Sequence, residues 1–359
     1  MTETFQPGGF ATLIGSLPLA DHGKATDLIL EHVPEIPFWA QLPVHQAEGM
    51  MAQFSNGLPG MGNDNGNVSV NTANGSYDEQ QLQFYEEYMA VLDGQLDLEA
   101  SRFVLEAGSA GGFFKLLKRL ADLPEPSVAI KGQITGPFTL ATGIVDQNRR
   151  AIFYDGQLRD AAVKLLAMRA RWQVRRLSRF KQPVLIFIDE PGLAGFGSSG
   201  FTSISHDDIS RCFEEIFEAV HQEGGLVGVH VCANTDWSLV LDSSADIVSF
   251  DAYGFFDRFI LYPEQIRNFI DSGKILAWGV VPTLNPDDID RETIESIWDR
   301  WMIQVNQVVA LGIDMQKLIN QSLITPSCGM GSLELDSAEK VIKLTKAVSL
   351  KVRKLKFSA

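Results

Sequence analysis

Short apolar runs recur along this chain. Each is closed by polar turn residues, and most lead into a stretch where apolar residues return at helical spacing. Eight runs predict strands: residues 11–15, 37–42, 128–133, 184–189, 226–232, 247–252, 275–281 and 322–327. Several, such as VLIFID and ILAWGVV, are apolar almost throughout, as expected of parallel strands covered on both faces. Between them the spacing predicts helices. Asp21 is placed to cap one carrying Ala25, Leu28 and Ile29. Residues 158–180 form a long Arg-rich amphipathic stretch. Residues 207–221 repeat Ile209, Cys212, Phe213, Ile216, Phe217 and Val220 at helical intervals. Further helices are expected over about 287–311 and 337–355.

Strand–helix alternation with eight strands predicts an α/β fold, a single (β/α)8 TIM barrel spanning residues 1–359. A doubly wound open sheet is the alternative, but it predicts a glycine-rich phosphate loop, and neither GxGxxG nor a Walker motif is present. The longest insertion follows the second strand, residues 43–127. Its early part, SNGLPGMGNDNGNVSVNTANGS, is rich in Gly and Asn and reads as a lid or docking surface. Residues 77–122 read as mostly helical, packing beside the barrel.

Composition narrows the function. The chain has 359 residues, 45% hydrophobic and 21% charged, enough for a large core. A net charge of −15 argues against a nucleic-acid partner, which requires a basic footprint. The basic run 340–356 reads as a solvated helix face. No apolar stretch approaches the ~20 residues of a membrane span, and the start, MTETFQPGGF, lacks the pattern of a signal peptide. A cytoplasmic location is expected, with no membrane association. Three cysteines do not form a disulfide framework and are expected to be reduced.

Barrels of this type carry their chemistry at the C-terminal strand ends. There the predicted strands place Gly15-Ser16, Gln41 leading to His45 and Glu48, Gln133, Asp189-Glu190, His230-x-Cys232, Asp251, Val281-Pro282 and Cys328. Side chains two apart on a strand face the same way, so His230 and Cys232 reach one cavity, and Cys328 can meet them across the barrel mouth. Imidazole plus two thiolates suits zinc with one open position. Spacing alone leaves another reading, a satisfied core histidine and two small buried thiols. Cys212, on an apolar helical stripe, is core. Asp189 reads either as a helix cap or as the acid holding a substrate ammonium group. Asp251 is either a fourth zinc ligand that yields to an arriving thiolate or an acceptor orienting a histidine. Asp189 and Asp251 are the candidate catalytic acids.

Taken together, these strand ends resemble the catalytic barrel of cobalamin-independent methionine synthase in its short core form. More distantly they resemble the uroporphyrinogen decarboxylase and methylcobamide:thiol methyltransferase group. The matching pieces are IGSLP (14–18), EIPFWAQLP (35–43), ITGPFTLA (134–141), IDEPGL (188–193), HVCANTDW (230–237), FDAYG (250–254) and ITPSCGMGS (324–332), in family order. The resemblance implies a zinc-dependent methyltransferase that converts homocysteine to methionine. It makes His230, Cys232 and Cys328 zinc ligands, with Asp251 where the family has a glutamate ligand. It assigns the substrate amino group to Asp189, with Glu48 as a second acid, and the carboxylate to the backbone of Ile14, Gly15 and Ser16. No tightly bound organic cofactor is implied.

The departures concern the methyl donor. The synthase's N-terminal folate-binding domain has no counterpart in these residues. Gly143 stands where the family has a pterin-stacking tryptophan, and GVVPT (279–283) lacks the histidine proposed to protonate departing folate. An amine leaving group requires that proton; cob(I)alamin does not. A methylated corrinoid protein is therefore the expected donor and partner, with methyl-tetrahydrofolate the alternative. Three other readings remain: a coenzyme M-like thiol acceptor, a porphyrin decarboxylase, and a zinc-binding protein without turnover. The decarboxylase reading wants an arginine cluster near the N-terminal strands, and none is seen there.

Overall fold

The computed structural model describes residues 5–64 and 67–355. The first four residues, the Asn65-Gly66 step of the Gly/Asn stretch and the Lys356 end of the basic run lie outside the described residues. The strands in chain order are β1 (Met61–Asp64), β2 (Asn67–Val70), β3 (Ile130–Thr135), β4 (Val145–Asp146), β5 (Val184–Asp189), β6 (Leu226–Val231), β7 (Ile247–Phe250), β8 (Ile275–Val281) and β9 (Ser322–Pro326). Six of them form one curled sheet in the order β3-β5-β6-β7-β8-β9, every neighbouring pair parallel. These six fall where the sequence predicts strands, within a residue or two at the ends.

The two N-terminal predicted strands differ from expectation. Residues 11–15 and 37–42 make single parallel bridges, Ala11 to Ile324, Ser16 to Gln41 and Phe38 to Lys131, rather than continuous ladders. Side chains occupy backbone groups that a ladder would use. The Lys131 ammonium donates to the Ile14 carbonyl, Gln133 Nε2 to the Trp39 carbonyl at 2.7 Å, and Thr12 Oγ1 to the Ile36 carbonyl at 3.0 Å. The Leu42 N–H donates to Glu48 Oε2 at 2.8 Å.

Strand alternation divides the core in two. One face of the sheet packs a small cluster of Ala129, Leu185, Phe187, Ile247, Ile275, Ala277 and Leu323. Gly228 makes room there, since a Cβ at that position would lie 2.6 Å from the Phe187 ring. The other face meets the helices in a much larger cluster that includes Trp172, Trp278 and Trp301.

The predicted helices appear at His22–His32, Gly156–Leu177, His206–Gln222 and Leu335–Val352. Asp21 caps the first through Lys24 N at 2.8 Å. The expected helix over 287–311 is two, Pro286–Arg291 and Ile294–Val309. Thr293 and Ser296 form a reciprocal capping box that starts the second one afresh. Cys212 is buried on its helix, as expected. The basic C-terminal helix behaves as a surface helix: Lys343 pairs with Glu339, Arg353 with Glu35, and Lys351 lies over Trp298.

Residues 43–127 hold regular structure. β1 and β2 pair antiparallel, and β2 adds β4 in parallel. Helices Tyr77–Leu92 and Gly111–Ala121 account for much of 77–122, and Phe113 of the second sits 4.8 Å, ring to ring, from Trp172. Among the described residues no helix is long and apolar enough to cross a membrane.

Candidate metal and substrate site

Polar side chains gather where the parallel strands end. In the sheet register His230 of β6 stands between Asp189 of β5 and Ser249 of β7. His230 Nδ1 lies 2.9 Å from Ser249 Oγ, which fixes the ring. Its Nε2 is buried and has no hydrogen-bond partner among the described residues. Cys232 follows β6 directly, and Cys328 lies two residues beyond β9. The donor atoms of His230, Cys232 and Cys328 all lie within 4.8 Å of one another, a separation compatible with one shared ion.

The loop bearing Cys328 is pinned to the N-terminal segment. Met330 N donates to the Ser16 carbonyl at 2.9 Å and Gly331 N to Ser16 Oγ at 3.0 Å. Gly329 is needed for this approach, because a Cβ there would fall 2.3 Å from Ser16 Oγ. Cys328 and His230 beside it hold the Cys232 thiol below the usual range, against burial, while Cys232 and burial push Cys328 up.

The ligand set opens on a cavity of about 400 Å³. Ile14, Gly15, Ser16, Glu48, Asp189, His230, Cys232 and Cys328 all line it. Eight of the nine site residues expected from the sequence are thus brought to one place. The ninth, Asp251, is not among the lining residues. It caps helix Ala252–Phe259, with Oδ1 accepting from Gly254 N at 2.7 Å, and burial pushes its carboxyl up to about 6. The described part of the Gly/Asn stretch does not line the cavity either; Pro43, Gly49 and Met50, just before it, do.

The adjacent acids Asp189 and Glu190 have separate fates. Asp189 lines the cavity, and its buried Oδ1 has no hydrogen-bond partner among the described residues. Burial raises its pKa, opposed by the nearby His230 and Lys131. Glu190 is fully buried and faces away, accepting from Phe138 N at 2.9 Å, Thr139 N at 2.8 Å and Thr139 Oγ1 at 2.5 Å. It thereby closes the N-terminus of helix Pro137–Gly143. Burial pushes it up to about 7, against those three donors. Glu48 differs from Asp189 in that both its oxygens are engaged. Oε1 lies 2.6 Å from His22 Nε2, and Oε2 accepts from Leu42 N.

Sequence reasoning missed Ser249, His22 and Lys131. Lys131 is fully buried, donates to the Ile14 carbonyl and to Gln133 Oε1 at 3.3 Å, and lies over Phe187 and Phe38. Its signal was present: AIKGQIT sets polar residues two apart inside an apolar run, marking an inward polar face. Ser249 in VSFD carried a similar but weaker signal, and His22 none.

No family model matches this chain, and no curated protein matches it. Among solved structures it is similar to a B12-independent methionine synthase from Shewanella sp. W3-18-1, in complex with selenomethionine. That likeness has a TM-score of 0.47 and 20% identity, covering 68% of this chain and 66% of the other. It is also similar to a candidate vitamin-B12-independent methionine synthase from Listeria monocytogenes, at a TM-score of 0.48 and 11% identity over 96% of each chain. The chain thus spans just under two thirds of the length of the first.

Proposed function

We propose that this chain is a zinc-dependent thiol methyltransferase that methylates homocysteine to methionine. The observation that carries the reading is the unpartnered Nε2 of His230 beside the two thiols of Cys232 and Cys328. A buried imidazole nitrogen without a partner is costly, and a metal would relieve it. Two thiols and an imidazole are a donor set suited to zinc, and three protein ligands leave a position for substrate. Bound there, zinc would hold the substrate sulfur as thiolate at neutral pH, where a free thiol with pKa near ~8.5 is mostly protonated.

The remaining work falls to the chain's own residues. In the tautomer with the N–H at Nδ1, His230 donates to Ser249 Oγ at 2.9 Å, and the Nε2 lone pair faces the ligand cluster. Asp189, with its free buried oxygen, accepts the substrate ammonium group. The backbone N–H groups of Gly15 and Ser16, which meet no acceptor among the described residues, take the carboxylate. Glu48 serves as a second acid near the amino group, held in place by His22 and Leu42 N. Asp251 stands back from this contact set and steadies the strand end. The bridges at Ala11, Ser16 and Phe38 support a ring of eight strand positions, a (β/α)8 barrel with the site at its mouth.

The donor in this reading is a methylated corrinoid protein, and the reaction cytoplasmic. Gly143 stands where a pterin-stacking ring would be needed, and a Cβ there would lie 2.9 Å from Met51 Sδ, so a side chain would require Met51 to shift. The test is to supply methylcobalamin and methyl-tetrahydrofolate separately with homocysteine to zinc-loaded protein. Methionine formed from the cobalamin donor, and not from folate, is expected. Turnover with folate equal to or better than that with cobalamin would assign the folate donor. Zinc retention without thiol methylation from either donor would favour a binding protein.

A further inference from the structure

We infer that Lys131 is a positioning residue for the carboxylate end of the substrate, acting through the Ile14–Gly15 peptide. The inference rests on the thiol amino-acid reading above. Lys131 is an ammonium group buried without a carboxylate within ion-pair distance among the described residues. Keeping such a charge out of water costs several kcal/mol unless other groups compensate. Here the compensation is a carbonyl, an amide oxygen, the nearby carboxylate of Asp189 and two ring faces, Phe187 at 4.6 Å and Phe38 at 5.3 Å. Packing alone would be served as well by methionine or leucine.

The carbonyl that Lys131 engages belongs to the same peptide group as the Gly15 N–H. Donation to its oxygen polarises the peptide and strengthens that N–H as a donor. Gly15 and Ser16 line the cavity together with Asp189 and the ligand cluster. A zwitterionic amino acid with its ammonium at Asp189 directs its carboxylate to this backbone. The charge beneath then has a use: it faces an anion that water no longer solvates. Gln133 steadies the lysine, since its Oε1 accepts from Nζ while its Nε2 is tied to the Trp39 carbonyl. A Cβ on Gly15 would lie 2.7 Å from Gln41 Oε1, so a side chain there would displace Gln41.

The test compares two thiols by calorimetric titration of zinc-loaded protein. One is homocysteine; the other is 3-mercaptopropylamine, which has the same length and amine but no carboxylate. The unaltered protein is expected to prefer homocysteine by at least about 10-fold, the worth of one charge-assisted hydrogen bond. Lys131→Met is expected to shrink that preference to under about 3-fold, chiefly by weakening homocysteine, with zinc stoichiometry unchanged. Equal weakening of both thiols, or an intact preference, would overturn the inference. Should Lys131→Met not fold, Lys131→Gln serves, and it is expected to reduce the preference in the same direction. Equal binding of both thiols by the unaltered protein overturns the inference whatever the variants do, and leaves the zinc–thiol reading standing. Binding of neither thiol overturns both.

Discussion

Along β5 one face of the strand runs Leu185, Phe187, Asp189; along β6 it runs Leu226, Gly228, His230; along β7, Ile247, Ser249. At the N-terminal ends these side chains pack into a dry cluster with Ile275 and Leu323. At the C-terminal ends the same alternation delivers an unpartnered carboxylate oxygen, an unpartnered imidazole nitrogen and two thiols. The lower end satisfies its groups within the fold. The upper end leaves polar atoms buried and unsatisfied, which a stable fold tolerates only at a few positions. The contrast teaches that strand geometry is shared while the polar imbalance is local, and the imbalance is where a ligand is expected.

Variants at the two ends should therefore fail in different ways. The largest effect is expected from Cys328→Ser, which should lower zinc affinity by more than the ~10–100-fold of a lost outer hydrogen bond while leaving the fold intact. Competition with a chromophoric chelator measures it, and unchanged affinity would remove Cys328 from the ligand set. At the lower end, Phe187→Ala should cost about 3–5 kcal/mol of stability through the cavity it leaves. Denaturant unfolding reads that loss, with zinc stoichiometry expected to stay the same. A stable variant that lost zinc would break the division between the ends.

The adjacent acids sharpen the comparison within two residues. Asp189→Asn should lower kcat/KM for homocysteine by roughly 10–100-fold, since a charge-assisted hydrogen bond is lost. A thiol lacking an amino group should be unaffected. Glu190→Gln should instead cost about 1–3 kcal/mol of stability, because an amide NH2 cannot accept from the donors that Glu190 now satisfies. If the two variants exchanged phenotypes, the assignment of the acids would be reversed. The smallest effect is expected from Ser249→Ala, a drop of about 10-fold in zinc affinity with little change in stability.

Much of this site was legible in the sequence because strand alternation and strand ends are local properties. His230-x-Cys232 and IDE each lie within one strand and its exit, so their facing follows from a period of two. The six continuous strands were legible for the same reason. What was not legible depended on partners distant in the chain. The N-terminal strands reduce to single bridges because Lys131, Gln133 and Glu48 take their backbone groups. The helix that Glu190 closes lies 51–52 residues earlier, and nothing local in IDEPGL points to it. Asp251 matched a ligand position in the family pattern, and the bond from Gly254 N to its Oδ1 was not legible there. The strand pairing of the Gly/Asn stretch was not legible, because β4, its partner, lies some 75 residues away and carries little signal of its own.

The central claim is that His230, Cys232 and Cys328 hold a zinc ion with a place left for a substrate thiol. X-ray absorption at the zinc edge of metal-loaded protein, before and after homocysteine is added, tests it most directly. The account predicts two sulfur ligands at ~2.3 Å in the free protein, rising to three with homocysteine. A sulfur count that does not change on adding homocysteine, or protein that retains no zinc, would contradict it.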